Sequence, residues 1–321
     1  MRKFIIDTDT ASDDAAALML AALSPDVEIL GVTTLTGNVD IEQSARNALA
    51  TLEACGSAVP VYKGALRPLF REREETISIH GADGMGDCDL IHPKGAAQSK
   101  RAVDFILETI AAHPGEIELV VLGPATNIAL AILQDRETMS KVKHIWSMGT
   151  PGFGAGNASP VAEFNVFIDA EAYKIMLDSG LPVTILGFDM CLGESCFTSD
   201  EVDRIASKQG TPGEFLMKGA AKLIEFNIAT RGKRQADFCD SVAMAVAVWD
   251  DCLEKAVNCY GYTCTIDGPL YGQVVFYREG ATYESSPHVP YYNARVVTKV
   301  NTELYKSRFM ELLAHECAKR A

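Results

Sequence analysis

At 321 residues, with 48% hydrophobic and 22% charged side chains, the chain has a globular composition, which excludes a disordered or fibrous protein. A formal net charge of −14 argues against the basic, phosphate-tracking surface of a nucleic-acid binder, but leaves room for a nucleoside, a nucleotide or a metal ion at a local site. No apolar run reaches the ~20 residues of a membrane span, and the opening "MRKFII" carries no secretory pattern. Nine cysteines (Cys55, Cys88, Cys191, Cys196, Cys239, Cys252, Cys259, Cys264, Cys317) are scattered singly, without a tight CxxC pair. This usage points to free thiols in a reducing cytoplasmic setting and against structural zinc.

In chain order, short apolar runs alternate with helical patterns. "FII" precedes "DDAAALMLAAL", "EILGVTTL" precedes "VDIEQSARNALATLEAC", and "VPVYKG" follows. "IELVVLG" leads into "ATNIALAILQ"; then come "KHIWSMG", "FNVFID" before "AEAYKIMLDSG", and "PVTILGFD". Buried strands each followed by a helix predict an α/β fold: an open, mostly parallel but mixed sheet of Rossmann-like type, covered by helices on both faces. Thr198 to Glu201, "TSDE", has the form of a capping box and predicts a further helix start. "GQVVFYREG" and "NARVVTKV" read as strands added to a sheet edge, with a closing helix from Thr302. Without an internal repeat, low-complexity tract or linker, a single domain over 1–321 is expected. Two long polar stretches, Arg67–Ser99 and Ala229–Asp237, have the length of binding loops or lids.

The sharpest local feature is "DTDTASDD", which sets Asp7, Asp9, Asp13 and Asp14 within eight residues, between a strand and a helix. Asp7 and Asp9 are two apart, so their side chains can share a face. Asp13 and Asp14 open the helix, where carboxylates complement the dipole. A capped helix with a solvated turn needs only two acids. Four this close repel one another, and a divalent cation relieves that conflict. An EF-hand loop counted from Asp7 fails, because its glycine and glutamate positions hold Ser12 and Leu18. A phosphatase of the haloacid dehalogenase type also opens on an aspartate pair after a strand, but its pattern places Thr or Val where Ala11 stands and does not call for Asp13 and Asp14.

The pattern Asp-x-Asp-x-x-x-Asp-Asp, with an alanine/leucine helix behind it, resembles the calcium-dependent nucleoside hydrolases of the inosine–uridine-preferring type. The likeness runs in order along most of the chain. "TTLTGNVD" carries Asn38, "VYKGALRPL" follows, and "IHGADGMG" carries His80. "LGPATNIAL" holds Thr126, and "SMGT" comes next. "GNASPVAEFNVFIDAEAY" supplies Asn157, Glu163, Asn165 and Asp169; "CDSVA" holds Asp240; and "NARVVTKVN" closes the series. The resemblance implies a hydrolase that splits the N-glycosidic bond of a ribonucleoside into free base and ribose. It also implies a homodimer or homotetramer.

The resemblance assigns Ca²⁺ to Asp9, Asp14, Asp240 and the main-chain carbonyl of Thr126, an all-oxygen set that suits a hard cation. Asp9 is implied as the base that activates water, and Asp7 as a supporting acid. Asp13 and Asn38 would take the 2′ side of the ribose, Asn165 and Asp240 the 3′ side, and Asn157 and Glu163 the 5′-hydroxyl. Asn157 and Glu163 taken singly could instead satisfy loop backbone. Asp169 and Asp189 read as structural.

The chain departs from the family at one telling place. Where this branch usually has His before the last metal aspartate, the sequence is Cys239-Asp240-Ser241. A thiol of pKa ~8.5 is a poor acid for a leaving base at neutral pH. Cys239 is therefore either a leaving-group residue or packing against the base, and His80 is the other candidate beside it. Trp146 and Trp249 sit in apolar runs and offer no tryptophan sandwich for a purine. A non-catalytic ribose- or nucleoside-binding relative is the alternative from another class.

Overall fold

The structure, a computed structural model, describes residues 1–72, 77–282 and 291–314. Nine strands form one sheet in the order β3-β2-β1-β4-β5-β6-β9-β7-β8. They are β1 (Arg2–Thr8), β2 (Val27–Thr34), β3 (Val61–Lys63), β4 (Ile117–Val121), β5 (His144–Met148), β6 (Val183–Leu186), β7 (Leu253–Thr263), β8 (Val274–Arg278) and β9 (Ala294–Val300). Every pairing from β3 across to β9 is parallel, whereas β7 runs antiparallel to both β9 and β8. The mixed, mostly parallel sheet expected from the sequence is present.

Alternation along β1 sends Phe4 and Ile6 into one core and Ile5 into the other, so both faces of the sheet are buried. That is why the run reads as continuously apolar. On the Phe4 face the helix Ser12–Leu23 packs along the helix Cys239–Val248. All ten residues of Cys239–Val248 are buried, which accounts for its alanine and valine content. The Thr198 capping box forms as expected, and the closing helix runs Thr302–Leu313.

Two expectations change. "FNVFID" is not a strand: Phe164–Ile168 is a short helix, started by Glu163, whose carboxylate accepts the N–H groups of Asn165 and Val166. A short run rich in aromatic and β-branched residues fits a strand or a buried helical turn equally, and here the cap decides. The second polar stretch is partly helical, because the helix Ala221–Arg231 continues to its cap at Gly232. Of the first stretch, residues 73–76 lie outside the described residues, as does Cys317. Seven of the described cysteines, Cys88, Cys191, Cys196, Cys239, Cys252, Cys259 and Cys264, are free thiols. Among the described residues no helix is long and apolar enough to cross a membrane.

Between β1 and β4 the strand order reverses direction. In open α/β sheets the carboxyl ends of strands at such a switch point frame a crevice in which ligands bind.

Candidate active site

The loop after β1 delivers Asp9, and the first turn of the next helix delivers Asp13 and Asp14. The helix Cys239–Val248, packed alongside, brings in Asp240 from its own first turn. One carboxylate oxygen each from Asp13, Asp14 and Asp240 lies within 4.8 Å of the other two. Asp9 is outside that tightest set, yet its charge is felt by Asp240, and those of Asp13 and Asp14 are felt by Asp9. All four are buried or nearly so.

Burial is the first cause that pushes these acids up, and mutual repulsion adds to it. Asp9 and Asp240 are held well above the usual carboxylate range; Asp14 is pushed up to about 7. Asp13 is also raised to about 7, by burial and then by Asp237. Oδ1 of Asp9 and Oδ1 of Asp13 are buried without a hydrogen-bond partner. Unpartnered buried oxygens on crowded carboxylates fit a cation bound entirely by oxygen.

The remaining Asp9 and Asp14 oxygens are fixed from the protein side. Asn38 donates its backbone N–H to Asp9 Oδ2 at 2.6 Å. Gly37 and Gly123 leave the room: a Cβ at Gly37 would stand 2.0 Å from Asp9 Oδ2, and one at Gly123 2.6 Å from Oδ1. Thr8 donates its hydroxyl to Asp14 Oδ1 at 2.5 Å, and Ala11 its N–H to Oδ2 at 2.9 Å. Asp7 turns elsewhere. Expected as a supporting acid, it accepts from the Thr33 hydroxyl at 2.5 Å and the Asn127 amide at 2.8 Å, whereas Asp14 is held by Thr8.

A cavity of about 380 Å³ opens beside this cluster. Asp13, Asn38, Asn157, Glu163, Asn165 and Asp240 all line it, as do His80 and Cys239. Glu163 accepts N–H groups from Thr150, Asn165 and Val166, and burial raises it to about 7. Asn165 donates its amide to the carbonyls of Leu122 and Met148, at the ends of β4 and β5. Asn157 accepts the N–H of Phe164. His80 Nδ1 lies 2.8 Å from Ser12 Oγ and its Nε2 3.6 Å from Asp13 Oδ1; burial drives this imidazole down to about 4. The Cys239 thiol is held well above its ordinary value, first by its hydrogen bond with Cys191 and then by burial.

Residues 4–307 match the family described as "Inosine-uridine preferring nucleoside hydrolase". The chain belongs to that family. Its members named below are hydrolases of nucleosides, enzymes acting on N-glycosyl bonds, and this membership displaces the phosphatase alternative. A probable uridine nucleosidase 1 of Oryza sativa subsp. japonica is 37% identical over 216 residues, covering 67% of this chain and 66% of that one. Against the pyrimidine-specific ribonucleoside hydrolase RihB of Escherichia coli (strain SE11) identity is 32% over 279 residues, 85% of this chain and 87% of the relative. A solved plant nucleoside hydrolase, the PpNRh1 enzyme, superposes with a TM-score of 0.91 at 27% identity, over 98% of this chain and 99% of that one.

Within this family member, Thr126 starts the helix Thr126–Gln134 at the β4 end, and its hydroxyl donates to Asp169 at 2.8 Å. Asp169 also accepts from Leu69 and Ala172, the structural part expected of it. Asp189 accepts the Phe153 N–H and so ties down the loop that leads to Asn157. Trp146 and Trp249 do not line the cavity. Thr8, Ser12, Gly37 and Gly123 escaped the sequence reading, although each stands within or beside a quoted block. Arg231 and Asp237, which also line the cavity, fall in the polar stretch read as a binding loop or lid, without a role for either residue.

Proposed function

We propose that this protein hydrolyses the N-glycosidic bond of ribonucleosides to free nucleobase and ribose, with Ca²⁺ at the aspartate cluster and Asp9 as the base. The observation that carries this reading is the crowd of buried carboxylates, two with unpartnered oxygens, opening onto a cavity lined with Asn and Glu side chains. Asp9, Asp14, Asp240 and the Thr126 carbonyl are the ligands we assign, with Asp13 close enough to join them. When bound, calcium draws ribose hydroxyls to the site and makes a water more acidic, though less so than zinc.

Asp9 then accepts the proton of the attacking water. The Asn38 N–H holds Asp9 Oδ2 and so fixes the carboxylate's orientation toward the site. Asp13 and Asn38 take the 2′ side of the ribose, Asn165 and Asp240 the 3′ side, and Asn157 and Glu163 the 5′-hydroxyl. A fixed ribose turns a bimolecular attack into a local one. Glu163 at the 5′ end repels a phosphate, so nucleoside 5′-monophosphates are expected to turn over far more slowly than nucleosides. We take the enzyme to be a cytoplasmic homodimer or homotetramer; free thiols at seven of the described cysteines suit a reducing compartment.

The two curated relatives are named for uridine and for pyrimidine ribonucleosides, which makes uridine the first substrate to try. The test is a panel of purine and pyrimidine ribonucleosides, with and without chelator, scored for reducing sugar. Calcium-restored sugar release supports the reading. Tight nucleoside binding without any release would make the protein a binding relative instead.

A further inference from the structure

Breaking the C1′–N bond leaves an electron pair on the nucleobase, and the cavity must hold that charge or supply a proton. Its obvious donors are poorly suited. His80 is buried, with Nδ1 engaged with Ser12 and Nε2 facing Asp13. The Cys239 thiol is buried and engaged with Cys191. Four acidic residues, Asp13, Glu163, Asp237 and Asp240, line the same space.

Among the described residues that line the cavity, Arg231 is the one permanent cation. It comes from the last turn of the helix Ala221–Arg231, which also presents Leu223 and Phe226 to the cavity. Burial opposes its charge, and Asp237, with the Cys196 and Cys239 thiols behind it, outweighs that. The guanidinium is held in place: Nη1 donates to Asp237 Oδ2 at 2.5 Å and to Asn227 Oδ1 at 2.7 Å. Asn227, fully buried, donates in turn to Asp237 Oδ1 at 2.5 Å. Both Arg231 bonds use Nη1, so the Nε and Nη2 hydrogens are uncommitted among the described residues.

We infer that Arg231, positioned by Asp237 and Asn227, stabilises the departing nucleobase in this chain, and that the site favours bases whose carbonyl oxygens carry the leaving charge. The inference rests on the hydrolase reading above. In the step it serves, water adds its oxygen to C1′ and yields a proton to Asp9. The C1′–N electron pair moves onto the base, which leaves as an anion facing Arg231 and is protonated by solvent on release. A planar guanidinium whose Nε–Nη2 edge is free matches a carbonyl-bearing ring, and a preorganised cation needs no reorganisation as charge develops. Asp237 is a positioning residue, since its oxygens are taken up by Arg231 and Asn227. The rival role is purely structural: a clamp between the helix end and the loop that returns to Asp240.

Leaving-group dependence separates the two. Arg231→Met and Asp237→Asn are compared with the wild-type protein on uridine, on inosine and on 4-nitrophenyl β-D-ribofuranoside, whose nitrophenolate leaves without help. For Arg231→Met, kcat/KM on uridine and inosine should fall about 100-fold, with a change under about 3-fold on the nitrophenyl riboside. Asp237→Asn should show the same selective loss to a smaller extent, and Arg231→Lys should recover part of it. Equal losses on all three substrates, or no loss on uridine and inosine, overturn the inference. Retained cleavage of the nitrophenyl riboside reports that each variant is folded. A wild-type protein that cleaves none of the three overturns the hydrolase reading and this inference with it.

Discussion

Glu118 and Asp9 are buried acids at opposite ends of the same pair of strands, and their surroundings drive them in opposite directions. Both are at most 1% exposed, so burial alone should raise both. Glu118, near the start of β4, accepts from Arg2, from Lys143 at 2.9 Å and from the Trp146 indole at 2.8 Å. Burial still opposes its charge, but those bonds outweigh it and bring the carboxyl down to about 2. Asp9, past the end of β1, has acids for neighbours and one oxygen without a partner. The amino edge of the sheet completes its electrostatics within the chain. The carboxyl edge leaves them incomplete, which is what a site that takes up a cation and a substrate requires.

The contrast can be broken at either end. The largest effect belongs to Asp9→Asn, which should lower kcat by at least about 10³-fold while leaving the circular dichroism spectrum intact; near-normal turnover would remove Asp9 as the base. At the other edge, Glu118→Gln strips a buried acid from two cations and should cost about 3 kcal/mol in urea unfolding at neutral pH. Because the folded pKa is depressed, the wild-type advantage is present above the unfolded value of ~4.3. It is lost as pH falls from there through about 2, so the two unfolding curves should converge in acid. A gap independent of pH would mean that packing, and not charge, is responsible.

Chelation comes next. A protein saturated at about 100 times the dissociation constant should lose about 2.7 kcal/mol when calcium is withdrawn, read as a lower Tm that calcium restores and magnesium restores less. Glu118→Gln should show the same calcium-dependent shift as the parent, since its edge needs no ion. The smallest effect is at Thr8→Val, where loss of the hydroxyl that orients Asp14 should weaken calcium binding about tenfold by titration calorimetry. Unchanged affinity would show that Asp14 does not depend on that bond.

Much of this was legible in the sequence, for physical reasons. Strands buried on both faces read as apolar runs, and the "FII" and "IELVV" segments lie where those runs place them. Acids at strand-to-helix junctions announce a carboxyl-edge site, and Asp13, Asp14 and Asp240 do converge there. What stayed hidden depends on partners remote in sequence or on fine local balance. "FNVFID" misled because a five-residue helix gives no usable period, and only the Glu163 cap distinguishes it from a strand. Asp7 looked like part of the cluster, yet Thr33 and Asn127, from β2 and the helix after β4, draw it elsewhere. The Arg231–Asp237–Asn227 group spans a helix end and a loop, so no single motif spells it.

The seat of β9 between β6 and β7 bears on how the chain emerges from a ribosome. Every carboxylate of the proposed site has been made once Asp240 leaves the exit tunnel. At that moment β6 still has one open edge, because its parallel partner begins at Ala294. The β7–β8 hairpin, made in between, can pair only with itself until β9 slides in beside it. At roughly 5–20 residues per second, that edge stays exposed for several seconds of synthesis. Truncation before Ala294 should therefore yield a chain that contains the acidic cluster and aggregates through β6, a vulnerability set by strand order and not by the chemistry of the site.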